Sequence, residues 1–209
     1  MVIYFKSDVV SPPMTIYMGA DKYENEELIK WGWPEDVWFH VDKLSSAHVY
    51  LRLNQGQTLD DVPSVILDDC AQLVKANSIE GNKMNDIDVV YTMWSNLHKS
   101  KSMDVGQVGF RSDRAVRKMR VDKRINAIVN RLNKTKEVRE VDLQAMREER
   151  EKAERNKEKA RVKQMKEQEK EEAKRREEAA KARSYDPIFK PELMTTNKDN
   201  DSDGSDDFM

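Results

Sequence analysis

The chain has 209 residues, 37 Lys/Arg against 39 Asp/Glu for a net charge of −2, and 38% hydrophobic against 36% charged residues. That length suits one globular domain plus an appendage, and a charge content this far above the globular norm implies that part of the chain builds no core. The lone Cys70 excludes a disulfide framework and a thiolate metal cluster, and no apolar run reaches the ~18 residues of a membrane-spanning helix.

Val2–Phe5 and Met14–Gly19 are short β-branched and aromatic runs on either side of Ser11-Pro12-Pro13, which predicts strand, loop, strand. Asp21 stands three residues before Glu24, a capping-box arrangement that opens a short helix through Lys30. Gly32 and Pro34 close it. Two strands follow, Val37–Val41 and Ala47–Leu53, around a turn at 42–46. In the second, Ala47, Val49, Leu51 and Leu53 alternate with His48, Tyr50 and Arg52, so one face is apolar and the other polar or aromatic.

Pro63 to Ser78 places Val65, Ile66, Cys70, Leu73 and Val74 at helical spacing. Strands are expected at Ile87–Thr92, Gly106–Phe110 and Ala115–Val121, and Ile125, Ile128, Val129 and Leu132 mark a further amphipathic helix. From 141 to 183 the chain is almost entirely Glu, Lys, Arg, Gln and Ala. Met146, Ala153 and Ala160 are seven apart, but Glu167 ends the heptad. A long solvated helix held by i, i+4 pairs is expected, available for self-association or a protein partner. The fold class predicted is α+β: a mixed or antiparallel sheet with two or three short helices over 1–135, a charged helix over 141–183, and a disordered acidic tail over 184–209.

Charge is polarised along this plan. Residues 1–98 carry 7 basic against 15 acidic groups, 99–139 carry 13 against 4, 147–183 carry 15 against 11, and 184–209 carry 2 against 7. A basic block of that density most often meets polyanions, the alternative being a solvated face. The N-terminal MVIYFKSDVV lacks the basic and apolar regions of a signal peptide, so the cytoplasm is the expected compartment, with the nucleus as alternative. Peripheral attachment to an anionic membrane stays open on the same charge.

Three chemistries can be weighed against the residues. His40 and Asp42 share a strand face, and His48 on the paired strand could join them at zinc or iron. No third His or Cys completes the set, so no metal or other cofactor is expected. Ser45 and Ser46 have no nucleophile frame, Cys70 lies within an amphipathic helix, and neither a P-loop nor G-x-G-x-x-G occurs, so no enzyme is predicted. Nucleic-acid binding fits better. Lys99, Lys101, Arg111, Arg114, Arg117, Lys118, Arg120, Lys123 and Arg124 are candidate phosphate contacts, with Tyr91, Trp94, His98 and Phe110 beside them for stacking on unpaired bases.

Four blocks in order carry a family resemblance. Asp36-Val-Trp-Phe-His40-Val-Asp42, then Ser46-Ala47-His48-Val49-Tyr50-Leu51-Arg52, resembles the central signature of the NFACT-R domain. Cys70 to Ser78 resembles its next helix, and Asp88 to Thr92 with Lys99 and Gly106-Gln107-Val108 its following strand. The similarity spans roughly residues 1–121; where the family carries Gly-Ser before the second His, this chain has Ser46-Ala47. It implies an RNA-binding domain with His40, Asp42 and His48 as signature positions; the face expected on this reading is His40, Asp42, His48, Tyr50 and Arg52, and charge alone leaves DNA as the alternative ligand.

Overall fold

A computed structural model describes residues 1–183; the expected acidic tail lies outside the described residues. Period-two alternation organises the sheet, because each strand sends one set of side chains to each side. Its strands are β1 (Val2–Ser7), β2 (Met14–Gly19), β3 (Asp36–Val41), β4 (Val49–Arg52) and β5 (Ile87–Met93). A short ribbon, β6 (Leu97–His98) with β7 (Gly109–Phe110), precedes β8 (Arg117–Val121) and β9 (Glu137–Arg139). Seven strands form one antiparallel sheet in the order β8-β5-β3-β4-β2-β1-β9.

The helices are α1 (Lys22–Trp31), α2 (Ser64–Ala76), α3 (Asn126–Lys134) and α4 (Leu143–Arg183). Asp21 caps α1 by accepting from the Tyr23 and Glu24 amides at 2.8 and 2.9 Å, and Pro63 stands directly before α2. One sheet face packs Phe5, Ile16, Phe39, Val49 and Leu51 against Ile66, Cys70 and Leu73 of α2 and Leu132 of α3. Each such buried side chain contributes about 1.5–3 kcal/mol. The opposite face buries Val2, Tyr17, Trp38, Tyr50 and Val90 with Leu28 of α1 and Leu97 of β6. The second face, polar and aromatic in the sequence, is therefore interior: Tyr50 is 0% exposed.

The α+β architecture matches expectation, with the sheet wholly antiparallel. Two details differ. The strand expected at Gly106–Phe110 shortens to Gly109–Phe110, because 99–107 folds around Lys99. The compact unit also runs past residue 135, to Glu151. Strand β9 pairs with β1, and the first turns of α4 lie against the domain. There Arg147 donates to the Gly32 carbonyl and lies 5.0 Å from the Trp94 ring. Arg150 pairs with Glu35 and lies 5.5 Å from the Trp33 ring. From Lys152 to Arg183, α4 is exposed at every residue and carries pairs such as Arg176–Glu172 at 2.8 Å.

Candidate nucleic-acid interface

Strands β3 and β4 pair with Trp38 opposite Tyr50 and Phe39 opposite Val49, which carries His40 and His48 to the same sheet face as Trp38. Trp38 and His40, two residues apart on β3, stack with ring centroids 5.5 Å apart and 4° between planes. His48 meets Trp38 edge-on at 5.4 Å and His40 at 4.9 Å. Phe110 closes the group, edge-on to Trp38 at 5.7 Å. The Ser46 hydroxyl fixes the turn, accepting from the Val41 amide at 3.0 Å and donating to the Ala47 carbonyl at 3.2 Å.

These rings line an open pocket of about 460 Å³ with Gly106, Gln107, Val108 and Val116. That volume falls within the ~300–1,000 Å³ usual for ligand pockets. Trp38 is the buried floor at 2% exposure, while His40, Val108 and Phe110 are half-exposed walls. Lys43, Lys118, Asp42 and Asp113 supply the charges around it.

Both imidazoles are neutral near pH 7. Burial pulls His48 down to about 3, with His40 beside it acting the same way. The Trp38 indole donates to His48 Nδ1 at 3.0 Å, so the proton sits on Nε2. Burial also lowers His40, against opposing contributions from the Val41 carbonyl and Asp42. His40 Nδ1 lies 2.7 Å from the Val41 carbonyl oxygen, an acceptor only, so in the neutral ring Nδ1 carries the proton and Nε2 is an acceptor.

The expected site residues separate into three groups. His40, Asp42, His48 and Lys118 come together at the pocket, with Lys118 Nζ 2.8 Å from Asp42. Asp42 accepts from Lys118 and His48 Nδ1 from Trp38, and among the described residues no group of three His, Cys, Asp or Glu is placed to hold a metal.

Tyr50 and Arg52 belong to the interior. Tyr50 stacks on Tyr17 at 5.2 Å, and burial raises its hydroxyl pKa well above 10. Arg52 grips the fully buried Asp36 from Nε at 2.9 Å and lies 3.6 Å above the Trp33 ring.

The basic block is divided. Lys99 is bound to Glu26, Arg117 to Asp60, Arg120 to Asp86 and Asp122, and Arg124 to Asn82. Arg111 Nε donates to the Leu97 carbonyl at 3.3 Å. Lys101 and Arg114 are exposed and have no ion pair among the described residues; Lys101 sits in the loop that leads to the pocket wall, and Arg114 follows Asp113 of its lining. Lys123 is equally exposed but lines a separate cleft with Arg120, Gln72 and Ile125.

Trp38, Val108 and Glu26 are not among the site residues expected from sequence, although Trp38 and Val108 stand in the blocks that carry the family resemblance. Trp38 carries a legible signal, two positions before His40 on one strand; Glu26 has none, since its partner Lys99 lies 73 residues away. Among the described residues no helix is long and apolar enough to cross a membrane.

The NFACT protein RNA binding domain model matches residues 1–112. Coiled-coil domain-containing protein 25 of Danio rerio is 58% identical over the full length of both chains, and that of Bos taurus 56% identical over 97% of this chain and 99% of its own. Protein JLP2 of Saccharomyces cerevisiae is 48% identical over 65% of this chain and 68% of its own. The C-terminal part of the fibronectin/fibrinogen-binding protein from Streptococcus suis shares the fold alone, with a TM-score of 0.50 at 22% identity, covering 61% of this chain and 48% of that one.

Proposed function

Because the chain belongs to the NFACT RNA-binding domain family, we propose that it binds RNA without catalysis by taking an unpaired base into the pocket between His40 and Phe110. The observation that carries this is an open aromatic pocket whose two histidines are held neutral, beside the exposed cations Lys101 and Arg114. Stacking on an aromatic wall is worth ~1–3 kcal/mol per base and tolerates any base, because every base has a π-face. His40 Nε2 and the Asp113 carboxylate are acceptors suited to an exocyclic amino group. Lys101, Arg114 and Lys43 supply the phosphate attraction. A duplex keeps its bases stacked inside, so single-stranded RNA is preferred over duplex DNA; single-stranded DNA offers the same base faces and is the alternative ligand.

Fluorescence anisotropy of the full chain against single-stranded RNA tests this. Phe110→Ala is expected to weaken binding by ~1–3 kcal/mol while the salt slope stays the same, since it removes stacking and no charge. Unchanged affinity in Phe110→Ala, with binding lost on removal of 152–209, would move the function to the long helix and a partner docked there.

A further inference from the structure

The pocket wall formed by Gly106, Gln107 and Val108 belongs to a loop, 99–108, whose shape depends on one ion pair. Lys99 Nζ donates to the Glu26 carboxylate at 2.7 Å, to the Asp104 carbonyl at 2.7 Å and to the Gln107 carbonyl at 2.9 Å. An ammonium has three protons, and here each has an acceptor, so none is left for a phosphate. The same Glu26 oxygen accepts the Gly106 amide at 2.5 Å. One carboxylate on α1 therefore holds the loop at both ends, at its first residue and at the wall itself. Gly106 has φ of +85°, in the left-handed region that glycine adopts without strain. His48 and Gly106 line the same pocket, one on its floor and the other on its wall. The Glu26 and Lys99 side chains are only 28% and 23% exposed, which keeps the pair from being screened as a surface contact would be.

We propose that Glu26 and Lys99 are positioning residues for RNA: they touch no nucleotide and set the wall against which the base packs. This rests on the RNA reading of the pocket, and it assigns Lys99 a role opposite to the phosphate contact expected from its charge and place in the basic block. The two roles have different salt signatures. A phosphate contact to single-stranded RNA contributes about 0.7 to the slope of log K against log salt, and its removal lowers the slope by that amount. A positioning residue contributes nothing to the slope, and its removal lowers affinity equally at every salt concentration.

The experiment is anisotropy of the full chain with single-stranded RNA over a salt series, for the parent, Glu26→Gln, Lys99→Met, the double variant and Lys101→Met. Hydrogen exchange across 100–108 is read in parallel on the free proteins. Each single loop variant is expected to bind about tenfold more weakly, the loss of one charge-assisted bond, with an unchanged slope. The double variant is expected to be no weaker than either single one, because both break the same clamp. Exchange should rise in 100–108 and stay constant in β5. Lys101→Met should instead lower the slope by about 0.7. A Lys99→Met slope reduced by that amount overturns the proposal, as does faster loop exchange with undiminished affinity. Failure of the parent chain to bind at all fells the RNA reading, and the positioning role with it.

Discussion

Trp38 donates its indole proton to His48 Nδ1 over 3.0 Å, and that bond assigns the imidazole both its tautomer and its neutral state. With His48 pulled down to about 3 by burial and an unfolded imidazole titrating near ~6.5, falling pH protonates the unfolded chain first. His48 therefore contributes stability that is whole above pH ~6.5 and is lost progressively as pH falls toward the folded value, with about 2 kcal/mol gone at pH 5. Nuclear magnetic resonance titration should find the His48 ring unprotonated at pH 5; a midpoint near 6.5 would refute the assignment. His48→Gln, whose amide oxygen can still accept from Trp38, should flatten the stability loss between pH 7 and pH 5. Arg52 makes the complementary case. Its guanidinium and the Tyr17 hydroxyl both serve Asp36, which is 0% exposed. Arg52→Ala leaves that buried carboxylate without its cation and should cost ~3–5 kcal/mol in urea unfolding. The salt slope for RNA should not change. From sequence, Arg52 and a phosphate-binding arginine look alike, because Asp36 is sixteen residues away and becomes its cross-strand partner only through the β3–β4 register.

The hairpin of β3 and β4 is legible as an element, since alternation over seven residues fixes which side chains share a face. What alternation does not tell is whether the second face is wet. Here α1, which directly precedes β3, and the segment after β5, which comes from a distant part of the chain, cover it. Strand β9 escapes detection for a related reason: three residues, all exposed, owe their conformation to pairing with β1 at the far end of the chain. The long helix divides likewise. Its composition is uniform, yet Arg147 and Arg150 find aromatic and acidic partners in the domain while Arg161 is 70% exposed beside Glu158. Arg150→Ala should destabilise the domain by about 1–3 kcal/mol in urea unfolding, because Glu35 is left half-buried without its cation. Arg161→Ala should fall within ~0.5 kcal/mol of the parent. Equal effects would mean that the first turns of α4 add nothing to the folded unit.

Across the molecule, the residues expected from sequence to form one site are divided by the fold among a pocket, the interior and ion pairs. The net charge of the basic block is real, but five of its nine proposed phosphate contacts pair with side chains of the fold, and Lys123 lines a different cleft from the aromatic pocket. Charge counting registers the cations and misses their partners at 26, 42, 60, 82 and 86, which lie upstream in sequence and become adjacent only after folding; Asp122, beside Arg120, is the local exception. The pocket was half visible, through His40, His48 and the aromatic spacing, and half assembled by a loop with no periodicity to declare it. The measurement that bears most directly on RNA binding at this pocket is photo-crosslinking of a single-stranded RNA to the full chain, with the attached peptides identified by mass spectrometry. Crosslinks are predicted in 38–43 and 105–116, and their loss in Phe110→Ala. Crosslinks confined to 152–183, or to the cleft around Lys123 and Ile125, would contradict it.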